Sequence, residues 1–160
     1  MTTGRSRRAR RGHAFVALLL GVVLLASLTG CSFIAGDLAD DEVEEIPASL
    51  LASDIGITDA YAEKAVTGFT YYLAVGVDLD HDELTDSELA SILQIIVDEN
   101  DLPTDDIELG VEGADGEDID VESTMERLVP GVVVTSLYGE VRITMDGARD
   151  IIDAVNTESS

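Results

Sequence analysis

Apolar residues recur along this chain with two different spacings, and the change of spacing predicts the order of its elements. From Phe69 to Leu79 every second residue is apolar or aromatic, which is the period of a half-buried strand. The spacing then changes to three and four residues, as on one face of a helix, at Leu89, Ile92, Leu93 and Ile96. The pattern therefore predicts a strand followed by an amphipathic helix.

The alternation also predicts which strand side chains face the core. Tyr72 falls on the opposite, open face, where it could belong to a binding surface. A Thr67–Gly68 pair predicts a hairpin turn back to residues 57–66, whose alanines suit a helix and whose alternation suits an edge strand. The residues predicted to point inward are Phe69, Tyr71, Leu73, Val75, Val77 and Leu79.

The helix has local start and stop signals. Thr85 and Glu88 have the spacing of a capping box, in which each side chain accepts the backbone N–H of the other residue. Leu84 and Leu89 have the spacing of a hydrophobic staple across the same helix start. We expect the helix to end near Asn100, before the next proline.

The flanking segments predict shorter elements of both kinds. A short helix is expected over residues 47–53 with Leu50 and Leu51 inward, and strands over 107–111, 132–137 and 141–145. Two further helices are predicted, one at Val121–Leu128 capped by Asp120, the other a last helix capped by Asp146 with Ile151, Ile152 and Val155 inward. The predicted fold class is α+β, a mostly antiparallel sheet with its helices on one face.

The order short helix, strand, glycine turn, strand, helix, strand over residues 47–112 is similar to the αββαβ modules called BON domains, which occur in exported bacterial proteins. The resemblance rests on element order and on one glycine. The acidic loop at residues 78–82 is not part of that family's pattern.

Composition adds a strong asymmetry of charge. The 160 residues carry 9 basic and 33 acidic side chains, a net charge of -24, yet five arginines fall within the first eleven residues. The uncharged apolar run Ala14–Leu28 follows, and its fifteen residues fall short of the ~20 that a spanning helix needs. A basic head before a short apolar run is typical of a signal peptide, here residues 1–30.

The apolar run ends in Leu28, Thr29, Gly30 and Cys31, which resembles the lipobox of bacterial lipoproteins. The resemblance implies attachment of a diacylglyceryl group to the Cys31 thiol and cleavage between Gly30 and Cys31. It also implies fatty acylation, often of the new amino terminus as well. Arg7 and Arg8 leave a twin-arginine export signal open, although the apolar pair that this signal requires is missing. We therefore expect Sec export.

Cleavage there would leave four basic side chains against all 33 acids, a net charge of -29. Residues 31–46 are small or acidic and predict a flexible acidic tether, with a first helix at Leu38–Glu45 as the alternative. Residues 47–160 are predicted to form the small α+β domain. The excess of acids argues against nucleic acid as a partner and against adhesion of the domain to anionic lipid headgroups.

The acidic loop contains Asp78, Asp80 and Asp82, a spacing that suggests calcium binding. An EF-hand loop starting at Asp78 would need glycine at its sixth position and a bidentate glutamate at its twelfth, but the chain has Glu83 and Leu89. The pattern favours a solvated loop over a metal site. A calcium-dependent surface module stays open as an alternative.

The residues of the chain give little support for a catalytic function. The one histidine after the leader, His81, lies in the acidic loop, and no nucleophile elbow or phosphate-binding glycine motif occurs. A single cysteine excludes an intramolecular disulfide. We expect a non-enzymatic binding or accessory domain without cofactors, anchored by lipid to the extracytoplasmic face of the cell membrane, with an envelope protein as a possible partner. A small envelope hydrolase is the second alternative.

Overall fold

A computed structural model describes residues 43–132, 134–137 and 139–158. The strands form one five-stranded sheet in the order β1-β2-β3-β5-β4. β2 and β3 pair in parallel, and the other three pairings are antiparallel. The elements are helix α1 (Glu45–Leu51), strands β1 (Ile57–Thr67) and β2 (Thr70–Leu79), helix α2 (Asp86–Glu99), strand β3 (Asp106–Glu112), helix α3 (Val121–Leu128), strands β4 (Val134–Leu137) and β5 (Glu140–Thr144), and helix α4 (Met145–Glu158).

One hydrophobic core joins the four helices to one face of the sheet. The three central strands contribute alternate residues to this core, because successive side chains of a strand point to opposite faces. Every helix buries apolar side chains in the same cluster, so the predicted α+β class with a mostly antiparallel sheet is confirmed. The strand residues of the cluster are Leu73, Val75, Val77, Leu79, Ile107, Leu109, Val111, Val141 and Ile143.

Helix α1 begins earlier than the sequence pattern predicted. It starts at Glu45, and Ile46 is buried with Leu50, so two residues assigned to the tether lie in a helix of the domain. Leu51 was expected to face inward, but its side chain is 46% exposed. The reason is the helical period: Ile46 and Leu50 are four residues apart and share one face, whereas Leu51 lies about 100° further round.

Residues 57–66, which the sequence pattern left open between helix and strand, lie in the edge strand β1. Its hairpin with β2 closes on the two residues Gly68 and Phe69, and Gly68 has a φ of 66°. Two-residue hairpin turns favour glycine at this first position because it tolerates positive φ. The predicted hairpin turn is confirmed.

The inward positions at the start of β2 were predicted wrongly. Phe69 is fully exposed at the turn, and Tyr71 is 43% exposed rather than buried. β2 pairs with β3 only from Leu73 onwards, so the residues before Leu73 extend past the neighbouring strand. Alternation therefore gave the correct side of the strand, but the core ends before Tyr71.

Helix α2 has the predicted capping box. The Glu88 backbone N–H donates to Thr85 Oγ1 at 3.3 Å, and the Thr85 backbone N–H donates to Glu88 Oε2 at 2.8 Å. Leu89 is fully buried, and Leu84 packs partly buried against the core, as the staple requires. The helix ends at Glu99, next to the expected Asn100.

The C-terminal elements follow the prediction with one correction. Asp120 caps α3, because its carboxylate accepts the Ser123 backbone N–H at 3.0 Å. Asp146 does not cap α4: the helix begins at Met145, and the Thr144 hydroxyl accepts the Gly147 N–H at 3.0 Å. The strand β5 thus runs directly into the helix, which places the cap two residues earlier than expected.

Candidate functional site

The sheet face opposite the helices carries a group of aromatic and charged side chains, which we call the open-face cluster. The strand alternation that sends apolar residues into the core points these residues the other way. β3 and β5 show this most clearly, since their core positions are buried and the positions between them are half-buried. The open-face cluster consists of Tyr61, Tyr72, Glu108, Glu140 and Arg142.

Arg142 stands at the centre of this cluster. Register places it directly opposite Glu108 on the neighbouring strand, and its Nε donates to Glu108 Oε2 at 3.0 Å, with a second, shorter bond from Nη2. The Arg142 guanidinium also lies 3.9 Å from the centre of the Tyr72 ring. The Arg142 and Glu108 side chains are 24% and 11% exposed, so the ion pair is largely shielded from water.

Glu140 brings a second carboxyl group to Glu108. Burial, then the charge of Glu108 and a hydrogen bond with it, raise the pKa of Glu140, while Arg142 opposes the shift. The negative charge of Glu108 disfavours ionisation of the neighbouring Glu140 carboxyl group. Glu140 therefore binds a proton more readily than an isolated glutamate does.

Tyr61 covers a strip of small residues on the same face. It pairs with Gly76, and a Cβ at Gly76 would lie 1.9 Å from Tyr61 Cε1, so the ring rests directly on the glycine backbone. Gly110 continues the strip on β3, beside the Glu140 side chain. Tyr61 is 52% exposed, and burial followed by the charge of Glu140 raises its pKa. A ring with one free face above a glycine floor can stack on a ligand.

The structure places Tyr72 on the open face, as the sequence predicted. It is half-buried, because Arg142 covers its ring. The surroundings of Tyr72 thus mix aromatic and charged groups.

The three aspartates of the acidic loop do not converge on one point. Asp80 Oδ1 contacts His81 Nδ1 at 2.7 Å, and Asp82 Oδ1 accepts the Asp115 backbone N–H at 3.0 Å, whereas Asp78 belongs to β2 opposite Asp59. Across the part of the chain that the structure describes, no three histidine, cysteine or acidic side chains are grouped to hold a metal ion.

His81 joins the acidic loop to the start of α2. Its Nδ1 contacts Asp80, and its Nε2 lies 3.4 Å from Glu88 Oε1. The hydrogen bond with Asp80 is the largest of the effects that raise the pKa of His81. The nearby hydroxyl of Thr85 is bonded to Glu88 at 2.7 Å. This arrangement holds the loop to the helix cap rather than aiming a base at a hydroxyl.

A groove of about 700 Å³ lies on the helix side, between α2 and α4. Ile95, Ile152 and Val155 are among its apolar lining residues, and Ser87, Ser91 and Asn156 are among the polar ones. Ser91 Oγ already donates to the Ser87 carbonyl at 2.8 Å. Glu88 also lines the groove, but its carboxylate is engaged in the capping box.

The predicted lipidation residue Cys31 and the predicted cleavage site at Gly30 lie outside the described residues. Among the residues that the structure describes, no helix has the length and apolar character needed to cross a bilayer. Comparison with protein-family models, with curated proteins and with solved structures found no match for this chain. The αββαβ order of α1 to β3 is present, and the relation to BON domains stays a prediction.

Sequence reasoning found only Tyr72 of the open-face cluster. The opposite charges of Glu108 and Arg142 at non-core positions of two strands are visible in the sequence, but they are 34 residues apart, and only the pairing of β3 with β5 brings them together. Tyr61 was missed because residues 57–66 fitted both a helix and an edge strand, so the face of its side chain could not be predicted. Strand register was the missing information.

Proposed function

We propose that this chain is an exported bacterial lipoprotein, held by lipid on Cys31 at the extracytoplasmic face of the cell membrane. The observation that supports this most directly is the sequence Leu28, Thr29, Gly30, Cys31 directly after a basic head and an apolar run of fifteen residues. A diacylglyceryl group supplies two acyl chains, and at ~0.8 kcal/mol per buried CH₂ two chains anchor a protein stably.

The domain on this anchor is a non-catalytic binding module, and its binding surface is the open face of the sheet. The partner we propose is a basic segment of another envelope protein. Charge complementarity supports this choice, since Glu63, Asp78 and Glu140 carry carboxyl groups on or beside this face, and Arg142 is already paired with Glu108. Tyr61 adds an exposed ring on which a lysine or arginine side chain can stack.

The lipid anchor is tested by Cys31→Ser, with Ser32→Ala as the matched control one residue away. We expect the control to be processed and to remain in the membrane fraction, because it keeps the thiol. Cys31→Ser should remain an unprocessed precursor without the added mass of lipid, measured by mass spectrometry of the intact protein. A Cys31→Ser variant with the same mature mass as the control would contradict the proposal.

The binding surface is tested with a lysine- and arginine-containing peptide titrated by calorimetry. Glu63→Gln removes one charge from the open face, and Glu126→Gln removes one from the exposed side of α3, so the two variants have the same net charge. We expect Tyr61→Ala and Glu63→Gln to weaken binding several-fold and Glu126→Gln to leave it nearly unchanged. Equal weakening by both glutamate variants would indicate diffuse attraction and would refute a site on the open face.

A further inference from the structure

The end of the β1–β2 hairpin is the most exposed apolar part of the described domain. Residues 66–71, which we call the hairpin tip, are all exposed. They include Phe69 at 104%, Val66 at 56% and Tyr71 at 43% exposure. The Lys64 ammonium lies 4.8 Å from the centre of the Tyr71 ring. β3 does not pair with this segment, because β2 joins β3 only from Leu73 onwards.

The hairpin tip lies in a segment without acidic side chains. Residues 64–77 contain no acidic side chain, in a protein with 33 of them. The opposite end of the sheet carries the acidic loop after β2 and the acidic loop after β3, which meet where Asp82 accepts the Asp115 N–H. The hairpin tip itself is thus apolar with a lysine beside it, whereas Asp105, Asp106 and Asp146 lie at the same end of the sheet where β3 begins and β5 ends.

From these observations we propose that the hairpin tip inserts into the lipid surface to which Cys31 anchors the protein. This inference rests on the proposed lipid anchor. A tip that projects about three residues past β3 extends roughly 10 Å at ~3.3 Å per residue. That length matches the ~5–10 Å depth at which apolar side chains bury in a membrane interface. Aromatic residues favour this interfacial zone.

The path of the chain is compatible with this orientation. Val43, the first described residue, lies 12 positions after Cys31, so the intervening chain spans at most ~40 Å when fully extended. Helix α1 packs on β1 and is joined to it by the short segment 52–56, so it runs back along the strand towards the hairpin. The chain thus enters the domain on the hairpin side of α1.

The test uses the absence of tryptophan from the sequence. Phe69→Trp creates a single fluorescent reporter at the hairpin tip, and Tyr61→Trp creates a matched reporter on the open face. Each full-length protein is purified from membranes and reconstituted into phosphatidylcholine vesicles with and without brominated acyl chains. We expect the Phe69→Trp emission to shift to shorter wavelength and to lose roughly half its intensity in brominated vesicles, with little change for Tyr61→Trp.

Flotation of the same vesicles measures attachment through the lipid anchor independently of insertion of the hairpin tip. If the protein floats but the Phe69→Trp emission keeps its full intensity in brominated vesicles, the lipid anchor is supported and the hairpin proposal is overturned. Equal quenching of both reporters would also overturn it, because the whole domain would then lie on the membrane. Protein that neither floats nor shows quenching would overturn the anchor and the hairpin contact together. Emission that changes only on addition of another protein would assign the tip to a protein partner.

Discussion

Arg142→Met should destabilise the domain strongly at neutral pH, because it leaves two carboxyl groups without their cation. Arg142 donates two hydrogen bonds to Glu108, and each bond to a charged group contributes ~1.5–3 kcal/mol when shielded. The side chains are 24% and 11% exposed, so solvent screening reduces this value. Loss of the contact with the Tyr72 ring adds about 0.5–1 kcal/mol. We expect a total loss of about 2–3 kcal/mol in the free energy of unfolding.

The dependence of this loss on pH separates the electrostatic explanation from simple loss of packing. Urea unfolding at pH 7 should show the full loss, and unfolding at a pH low enough to protonate the carboxyl groups should show a much smaller one, because protonated carboxyl groups no longer need the cation. Adding Glu108→Gln to Arg142→Met should restore at least half of the lost stability at pH 7. An unchanged loss at low pH, or no recovery in the double variant, would refute this account of the cluster.

Three further changes test the capping box, the core and the carboxyl pair by the same unfolding measurement. Thr85→Ala should cost about 1 kcal/mol because Glu88 loses its reciprocal bond, and Thr85→Ser should cost less. Leu93→Ala should cost about 3–5 kcal/mol, because this fully buried side chain leaves a cavity; a loss below about 1 kcal/mol would contradict its core position. Glu140→Gln should stabilise the domain at pH 7 and lose this advantage towards pH 4.5, the ordinary glutamate value.

The sign of the Glu140 effect follows from proton binding. Burial and Glu108 raise the pKa of Glu140 in the folded state, so the folded protein holds this proton more tightly than the unfolded chain. Stability therefore falls as pH rises from the ordinary value through the raised pKa. Glutamine carries no such proton, and the variant should lack this part of the pH dependence. A variant less stable than the parent at pH 7 would contradict the sign.

Local features of the fold were predictable from sequence, and non-local ones were not. The capping box of α2 depends on residues three positions apart, so Thr85 and Glu88 sufficed to place the helix start. Tyr71 was misassigned because alternation reports the side of a strand but not where the neighbouring strand begins. The pair of Glu108 and Arg142 depends on the register of two strands that are separated by α3 and β4, which no local pattern specifies.

The distribution of charge matters more for membrane orientation than its sum. A net charge of -29 after the proposed cleavage suggests a domain that anionic headgroups repel from every side. The fold places the acidic loops after β2 and β3 at the end of the sheet opposite the β1–β2 hairpin, whose tip, residues 66–71, contains no acidic side chain. In the proposed membrane orientation, burial of Phe69 has to outweigh repulsion of the acids at the hairpin end, Asp105, Asp106 and Asp146. If the hairpin tip inserts as we propose, the open face with Tyr61 and Arg142 stands beside the membrane, accessible to the proposed envelope partner.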